Sequence, residues 1–171
     1  QMCIRDRFDT VRRIYGMENC HEITLEANPD DLCPEYLQML SELPFNRISM
    51  GIQTFDDTTL KLLKRRHNAA QAIRAVELCR AHGFRNISID LIYGLPGETT
   101  ERWEKDLQQA IALDVEHISA YHLIYEEGTP IYKMLQKHQV EEVDEDSSVR
   151  FFTLLIDRLR EAGYEHYEIS N

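Results

Sequence analysis

Short apolar runs alternate along this chain with longer segments of helical periodicity, and this alternation is what most constrains its fold. The predicted strands cover Glu22–Ala27, Arg47–Gln53, Asn86–Tyr93 and His117–Tyr125. The predicted helices cover Pro34–Leu43, Asp56 or Asp57 to Lys64, Ala69–His82, Thr99 or Thr100 to Leu113, and Ser147–Ala162. Strands separated by helices indicate βα units, which build a parallel sheet. The predicted fold class is therefore α/β.

Each predicted strand divides into an apolar face and a polar face when its residues are sorted with a period of two. The apolar face carries Ile23, Leu25, Ala27, Ile48, Met50, Ile52, Ile87, Ile89, Leu91, Ile118 and Ala120. The polar face carries Thr24, Glu26, Asn28, Ser49, Gly51, Gln53, Ser88, Asp90, Ser119 and Tyr121. A parallel sheet covered by helices on both faces reads as continuous Val, Ile and Leu. The second face is therefore predicted to meet something polar.

Four of these polar residues lie towards the carboxyl ends of successive strands: Glu26, Gln53, Asp90 and Tyr121. In barrel-like α/β folds, ligands bind at that end of the strands. A single Glu at a strand end is more often a cap or a loop-ordering acceptor, but four polar residues in register favour a ligand. Because buried charge is costly without a partner, a polar ligand would be a suitable partner for Glu26 and Asp90.

Length, charge and cysteine content exclude several classes of protein. The chain has 171 residues, within the ~100–200 residues of one domain, and a formal net charge of −11. This charge argues against unspecific attachment to nucleic acid or to an anionic membrane surface. No segment has the ~18 consecutive apolar residues of a transmembrane helix. The four cysteines, at 3, 20, 33 and 79, match no C-x-x-C spacing, which predicts reduced thiols in a cytoplasmic protein.

Two further segments each allow two interpretations. The loop Tyr93–Thr99 (YGLPGET) leads into a helix N-terminus, where free amides favour an anion, but turn-forming residues alone also explain it. The basic run Lys64–His67 (KRRH) either complements the dipole at a helix C-terminus or forms an anion site. The histidines show no metal-binding spacing, and His117 and His122 are predicted to face opposite sides of a strand. Trp103, Phe151 and Phe152 are predicted to lie in the core.

The two ends of the chain show different patterns from each other. Gln1–Arg7 (QMCIRDR) shows no periodicity, so we interpret residues 1–7 as a prefix foreign to the natural protein and place the domain at 8–171. Glu141–Asp146 is predicted to be a solvated acidic loop. Tyr167–Asn171 (YEISN) reads as the opening of a strand. We therefore expect a domain that is truncated at both ends.

Several phrases of the sequence together resemble a known family. They are EITLEANP at 22–29, NRISMGIQTF at 46–55, LKRRH at 63–67, NISIDLIYGLPGET at 86–99, HISAYHLIYEEGT at 117–129 and GYEHYEISN at 163–171. In this order and spacing they resemble the central part of the radical S-adenosylmethionine proteins of the oxygen-independent coproporphyrinogen III oxidase family. The IQTF, GLPGET and EEGTP segments resemble the haem chaperone branch more than the oxidase branch.

The resemblance implies a partial parallel βα barrel of the TIM-like radical S-adenosylmethionine type. It implies that Glu26, Gln53, Arg65 and Asp90 contact S-adenosylmethionine, with Arg65 pairing with a carboxylate. It also implies a 4Fe–4S cluster held by a C-x-x-x-C-x-x-C motif. That motif would precede Phe8, so this chain alone is expected to hold no cluster and to generate no radical.

The sequence leaves three functional hypotheses open. The first is a haem chaperone that binds haem and delivers it to an acceptor protein. The second is an oxygen-independent coproporphyrinogen III oxidase, an enzyme that decarboxylates porphyrinogen propionates. The third is an ordinary βα barrel enzyme acting on a phosphorylated metabolite, which the absence of a recognisable phosphate-binding loop disfavours.

Overall fold

The computed structural model describes residues 3–169. Its four strands are β1 (Thr24–Ala27), β2 (Arg47–Gln53), β3 (Ile87–Tyr93) and β4 (His117–His122). Its helices are α1 (Ile4–Tyr15), α2 (Pro34–Ser41), α3 (Asp57–Leu62), α4 (Ala69–Ala81), α5 (Thr100–Ala112), α6 (Pro130–Gln136) and α7 (Glu145–Glu161), with a short 3₁₀ helix at Pro29–Asp31. Among the described residues, no helix has both the length and the apolar composition that crossing a membrane requires.

The strands form one parallel sheet in the order β1-β2-β3-β4. Neighbours in sequence are therefore neighbours in the sheet, as in a βα barrel. In register, Glu26 lies opposite Ser49, and Asp90 lies between Gly51 and Ser119. The predicted α/β class and the parallel sheet are confirmed.

The hydrophobic core lies between the apolar face of the sheet and the helices that pack on it. Fully buried strand residues are Ile48, Met50, Ile52, Ile87, Ile89 and Leu91. Buried helix residues include Leu37, Leu40, Ala72, Val76, Trp103, Leu107, Phe151 and Leu155. Phe152 is partly buried against this cluster. The period of two in the sequence thus identified the core face of the central strands correctly.

Side chains at the helix N-termini determine where several helices begin. Asp56 accepts a hydrogen bond from the backbone N–H of Thr59, and Thr99 accepts one from that of Arg102. Such a cap stabilises a helix by about 1 kcal/mol. Of the alternative helix starts that the sequence offered, Asp56 and Thr99 are the residues that cap α3 and α5. Helix α4 ends two residues before Gly83, whose φ of +89° suits glycine.

The structure differs from the sequence analysis mainly near the termini. Helix α1 begins at Ile4, so the expectation that Gln1–Arg7 contains no element is wrong; whether residues 1–7 belong to the natural protein stays a prediction. Helix α7 starts at Glu145 with Asp144 as its cap, so the acidic stretch is only partly a loop. Helix α6 was not predicted.

The predicted C-terminal strand is not formed in the described residues. Residues 164–169 have no regular secondary structure, and Ser170 and Asn171 lie outside the described range. Strand β4 also ends at His122 rather than Tyr125. A strand needs a neighbour to hydrogen-bond with, so apolar alternation alone does not form one.

Candidate functional site

The four predicted contact residues come from separate segments that meet at the polar face of the sheet. Glu26 is the third residue of β1 and is exposed. Asp90 lies in the middle of β3 and is partly buried, so it sits deeper along the strand than the sequence suggested. Gln53 ends β2, and Arg65 follows α3. The sheet register explains the strand residues, whereas the position of Arg65 depends on tertiary contacts.

Arg65 joins three segments through one guanidinium nitrogen. Its Nη2 donates to Asn28 Oδ1 at 2.8 Å and to the backbone carbonyl of Gly51 at 2.7 Å. Asn28 follows β1, and Gly51 lies within β2. The preceding residue, Lys64, has a φ of +55°, which turns the chain after α3 and directs Arg65 back to the sheet. Arg65 therefore lies beside the polar face.

Gly51 provides the space in which Arg65 and Gln53 approach each other. A Cβ atom at position 51 would lie 2.7 Å from Gln53 Nε2 and 3.3 Å from Arg65 Nη2. Gln53 has a φ of +74°, and the pairing of β2 with β3 shifts register between Gly51 and Gln53. A non-glycine residue with positive φ is strained, and such strain is concentrated at functional sites. The irregularity folds the Gln53 carboxamide back over Gly51.

Asp90 is electrostatically coupled to Glu26. Burial raises the pKa of the Asp90 carboxyl above its ordinary value, and the negative charge of Glu26 raises it further. A hydrogen bond from the Ser119 hydroxyl acts in the opposite direction. A cationic group bound beside Asp90 would therefore stabilise its ionised form.

His117 is a further polar-face residue that the sequence analysis left out of the site. Its Nδ1 lies 2.8 Å from Ser88 Oγ, and its Nε2 lies 2.7 Å from the Tyr167 hydroxyl. A cavity of about 480 Å³ adjoins it between β4 and α7. His117 is two residues before Ser119, so the period of two in a strand already predicts that it lies on the polar face. The expected opposite orientation of His122 is confirmed, because that ring packs against Tyr93 at 5.1 Å.

The loop after β3 binds a carboxylate of the chain itself. Glu98 Oε2 accepts hydrogen bonds from the backbone N–H groups of Gly94 at 2.6 Å and Leu95 at 3.2 Å. Burial raises the pKa of Glu98 to about 7. These two amides are therefore already occupied, which favours the interpretation of this loop as a structural turn over an anion site.

A buried polar cluster behind the sheet was missed in the sequence. Asp106 is 5% exposed and accepts from the Thr54 hydroxyl at 2.6 Å and from the Phe55 N–H at 3.0 Å. Nearby, Arg102 donates to Asp56 at 2.5 Å. The signal was present, because Asp106 shares the buried side of α5 with Trp103, Leu107 and Ala110. An acid at a core position indicates a specific buried partner.

The basic run lies beyond α3, which ends at Leu62. Arg66 pairs with Asp30 and Asp31, both at 2.9 Å. His67 is buried, and its Nε2 lies 3.1 Å from the carbonyl of Ile52. The chain's own groups thus bind Arg66 and His67, and the anion-site interpretation applies to the other two members of the run, Lys64 and Arg65.

The described residues do not fit an iron–sulfur cluster. Within residues 3–169, no group of three or more His, Cys, Asp and Glu side chains is arranged to hold a metal ion. Cys3, Cys20 and Cys33 are exposed, whereas Cys79 is buried and burial raises the pKa of its thiol to about 12. No chemical step is therefore assigned to a cluster within this part of the chain.

Comparison with known proteins identifies the family of the chain. The Radical SAM superfamily matches residues 4–110. The heme chaperone HemW of Bacillus subtilis (strain 168) is 39% identical over 169 residues, which is 98% of this chain and 45% of that protein. The heme chaperone HemW of Lactococcus lactis subsp. lactis (strain IL1403) is 38% identical over 91% of this chain and 41% of its own length. The chain thus spans less than half the length of these relatives.

Solved structures share the fold. Coproporphyrinogen III oxidase (HemN) from Escherichia coli superposes with a TM-score of 0.73 at 26% identity, covering 84% of this chain and 33% of that one. The archaeal Elp3 of Methanocaldococcus infernus superposes with a TM-score of 0.71 at 23% identity, covering 78% of this chain and 32% of its own. Because its identity is only 23%, the similarity to Elp3 shows a shared fold and no more.

The fold and the polar face define a partial radical S-adenosylmethionine barrel. The chain belongs to the Radical SAM superfamily, in the family that includes the haem chaperone HemW and the oxidase HemN. The family resemblance, the fold class and the relation to the haem chaperone branch are confirmed.

Proposed function

We propose that this chain forms the S-adenosylmethionine-binding part of a cytoplasmic radical S-adenosylmethionine haem chaperone. The observation that carries this proposal is the placement of Arg65 beside Gln53, on the same face as Asp90 and Glu26. One fixed cation and two coupled carboxylates complement the carboxylate and the ammonium group of an amino-acid ligand. The superfamily match supports the same ligand.

Each site residue has a role that its chemistry allows. Arg65 pairs with the ligand carboxylate through its free N–H groups. Glu26 and Asp90 accept from the ammonium group or from ribose hydroxyls, and Gln53 both donates and accepts. The missing Cβ of Gly51 provides the space for this arrangement. S-adenosylmethionine supplies radical chemistry when it is bound to a reduced 4Fe–4S cluster, whose ligands we place outside this chain.

The haem-related part of the proposal rests on the relatives. Two proteins named heme chaperone HemW are 39% and 38% identical to this chain over almost all of its length. We propose that the complete protein binds haem and delivers it to an acceptor protein. The second candidate, coproporphyrinogen III oxidase activity, is supported by the likeness to HemN. The third hypothesis is disfavoured because Glu98 occupies the backbone amides of Gly94 and Leu95 in the loop after β3.

Isothermal titration calorimetry of the chain with S-adenosylmethionine tests the binding proposal. We expect saturable binding that weakens at least about tenfold, roughly 1.4 kcal/mol, in a Glu26→Gln/Asp90→Asn double variant. A matched control, Glu127→Gln/Asp157→Asn, changes two exposed acids by the same charge and should bind as the wild type. Equal affinity of all three proteins would disprove the assigned site.

The two haem-related candidates are separated with the complete gene product. Anaerobic incubation with coproporphyrinogen III and S-adenosylmethionine should give no protoporphyrinogen if the protein is solely a chaperone. Addition of haem should give a stoichiometric Soret absorption band. Product formation without haem binding would instead establish the oxidase.

A further inference from the structure

We propose that Asn28 is a positioning residue that orients Arg65 towards the carboxylate of S-adenosylmethionine without neutralising its charge. This inference rests on the proposed function. It concerns a side chain that precedes Pro29 and lies in the loop after β1.

The hydrogens of the Arg65 guanidinium group are only partly used within the described chain. Its Nη2 carries two, and the structure gives it two acceptors, Asn28 Oδ1 at 2.8 Å and the Gly51 carbonyl at 2.7 Å. A guanidinium group is planar, so fixing one nitrogen at two points restricts the orientation of the whole group. The N–H groups on Nη1 and Nε have no acceptor among the described residues. They are the donors available to a ligand carboxylate.

The positive charge of Arg65 is not paired by these two acceptors. Both acceptors of Arg65 are neutral, an amide oxygen and a backbone carbonyl. The neighbouring Arg66, in contrast, pairs with the carboxylates of Asp30 and Asp31. Within the described part of the chain, Arg65 forms no salt bridge. Arg65 therefore keeps its positive charge for the ligand, whereas Arg66 is already paired.

Asn28 is itself held in place by a hydrogen bond. Its Nδ2 donates to Asp31 Oδ2 at 3.2 Å, and Asp31 Oδ1 accepts from Arg66 at 2.9 Å. With its nitrogen directed to Asp31, the carboxamide presents its oxygen to Arg65. An aspartate at position 28 would keep the acceptor but add a negative charge beside Arg65 and repel Asp31. Asparagine can donate to Asp31 and accept from Arg65 at the same time without adding a charge, which explains why a neutral amide suits this position.

The test compares two ligands and two substitutions. S-adenosylmethionine and 5′-methylthioadenosine share the adenosine and the sulfur, but only the first has the amino-acid carboxylate. We expect Asn28→Ala to weaken S-adenosylmethionine binding to the chain about tenfold and to leave 5′-methylthioadenosine affinity within about twofold. Asn28→Asp should weaken S-adenosylmethionine binding at least as much, although it conserves the shape of the side chain and its acceptor for Arg65. A merely structural role would weaken the binding of both ligands equally.

Controls separate the inference from the proposed function. Asn68→Asp makes the same change at the cap of α4, where aspartate is also accepted, and should leave both affinities unchanged. In an Arg65→Ala background, Asn28→Ala should have no further effect. Wild-type affinity of Asn28→Asp, or equal losses for both ligands, would overturn the inference alone. If the wild type binds neither ligand, the proposed function fails and the inference fails with it.

Discussion

Glu98 closes the loop after β3 by accepting a hydrogen bond from the backbone N–H of Gly94 at 2.6 Å. Gly94 has a φ of +74°, and Glu98 lies just before the cap of α5. The Glu98 carboxyl therefore connects the loop after β3 to the start of α5. Burial keeps this carboxyl partly protonated near neutral pH.

The first prediction concerns the pH dependence of stability. Burial raises the pKa of Glu98 from 4.5 to about 7, so the folded chain binds more protons than the unfolded chain between these values. The free energy of unfolding should then fall as the pH rises through this window, by at most roughly 3.5 kcal/mol at about 1.4 kcal/mol per pKa unit. Urea unfolding of the wild type and of Glu98→Gln across this range measures the difference.

Glu98→Gln keeps an acceptor for Gly94 but has no titrating group. Its stability should exceed that of the wild type above about pH 7 and should lack this part of the decline. The facing groups Asp106, Arg102 and Asp56 are the same in both proteins. Parallel pH curves for the two proteins would show that Glu98 is ionised throughout.

The second prediction concerns the buried carboxylate of Asp106. Asp106→Ala leaves the Thr54 hydroxyl and the Phe55 N–H without their acceptor, which should cost about 2–4 kcal/mol. Asp106→Asn retains one carbonyl oxygen and should cost less. Asp157→Asn, on an exposed part of α7, is the control and should stay within about 0.5 kcal/mol of the wild type. Chemical unfolding ranks the variants, and an Asp106→Ala chain as stable as this control would contradict the assignment.

The third prediction separates binding from stability at Gly51. A Cβ there would lie 2.7 Å from Gln53 Nε2, the far end of a side chain that can move. Gly51→Ala should therefore cost only about 1 kcal/mol of stability but weaken S-adenosylmethionine binding about tenfold, because Gln53 and Arg65 must both shift. Calorimetry and urea unfolding of the same preparation give the two values. A large stability loss with unchanged affinity would place the role of Gly51 in folding.

The fourth prediction concerns the pH dependence of binding. The raised pKa of Asp90 means that a cationic ligand group must displace a proton at acidic pH. Affinity for S-adenosylmethionine should therefore decrease as the pH falls from neutral through the raised pKa of Asp90. Asp90→Asn should bind more weakly at neutral pH and show a flatter profile. Profiles of equal slope would mean that Asp90 is not the group that titrates with binding.

Local patterns were sufficient for much of the fold. Strand β2 has the predicted bounds, and the caps Asp56 and Thr99 lie where they were expected. Both features depend on neighbouring residues along the chain. Helix α1 was not predicted, and the predicted C-terminal strand is not formed within the described residues. The apolar side chains that stabilise such segments must find partners distant in sequence.

The amino-acid sequence by itself determined which strand residues face the core, which face is polar, and that Glu26, Gln53 and Asp90 share the polar face. These results follow from the fixed period of two in a strand. Only the tertiary structure decided that Arg65 meets Asn28 and Gly51, and that Glu98 occupies the loop amides. Side chains after turns have no fixed direction, so their partners are selected by the packing and hydrogen bonding of the whole domain.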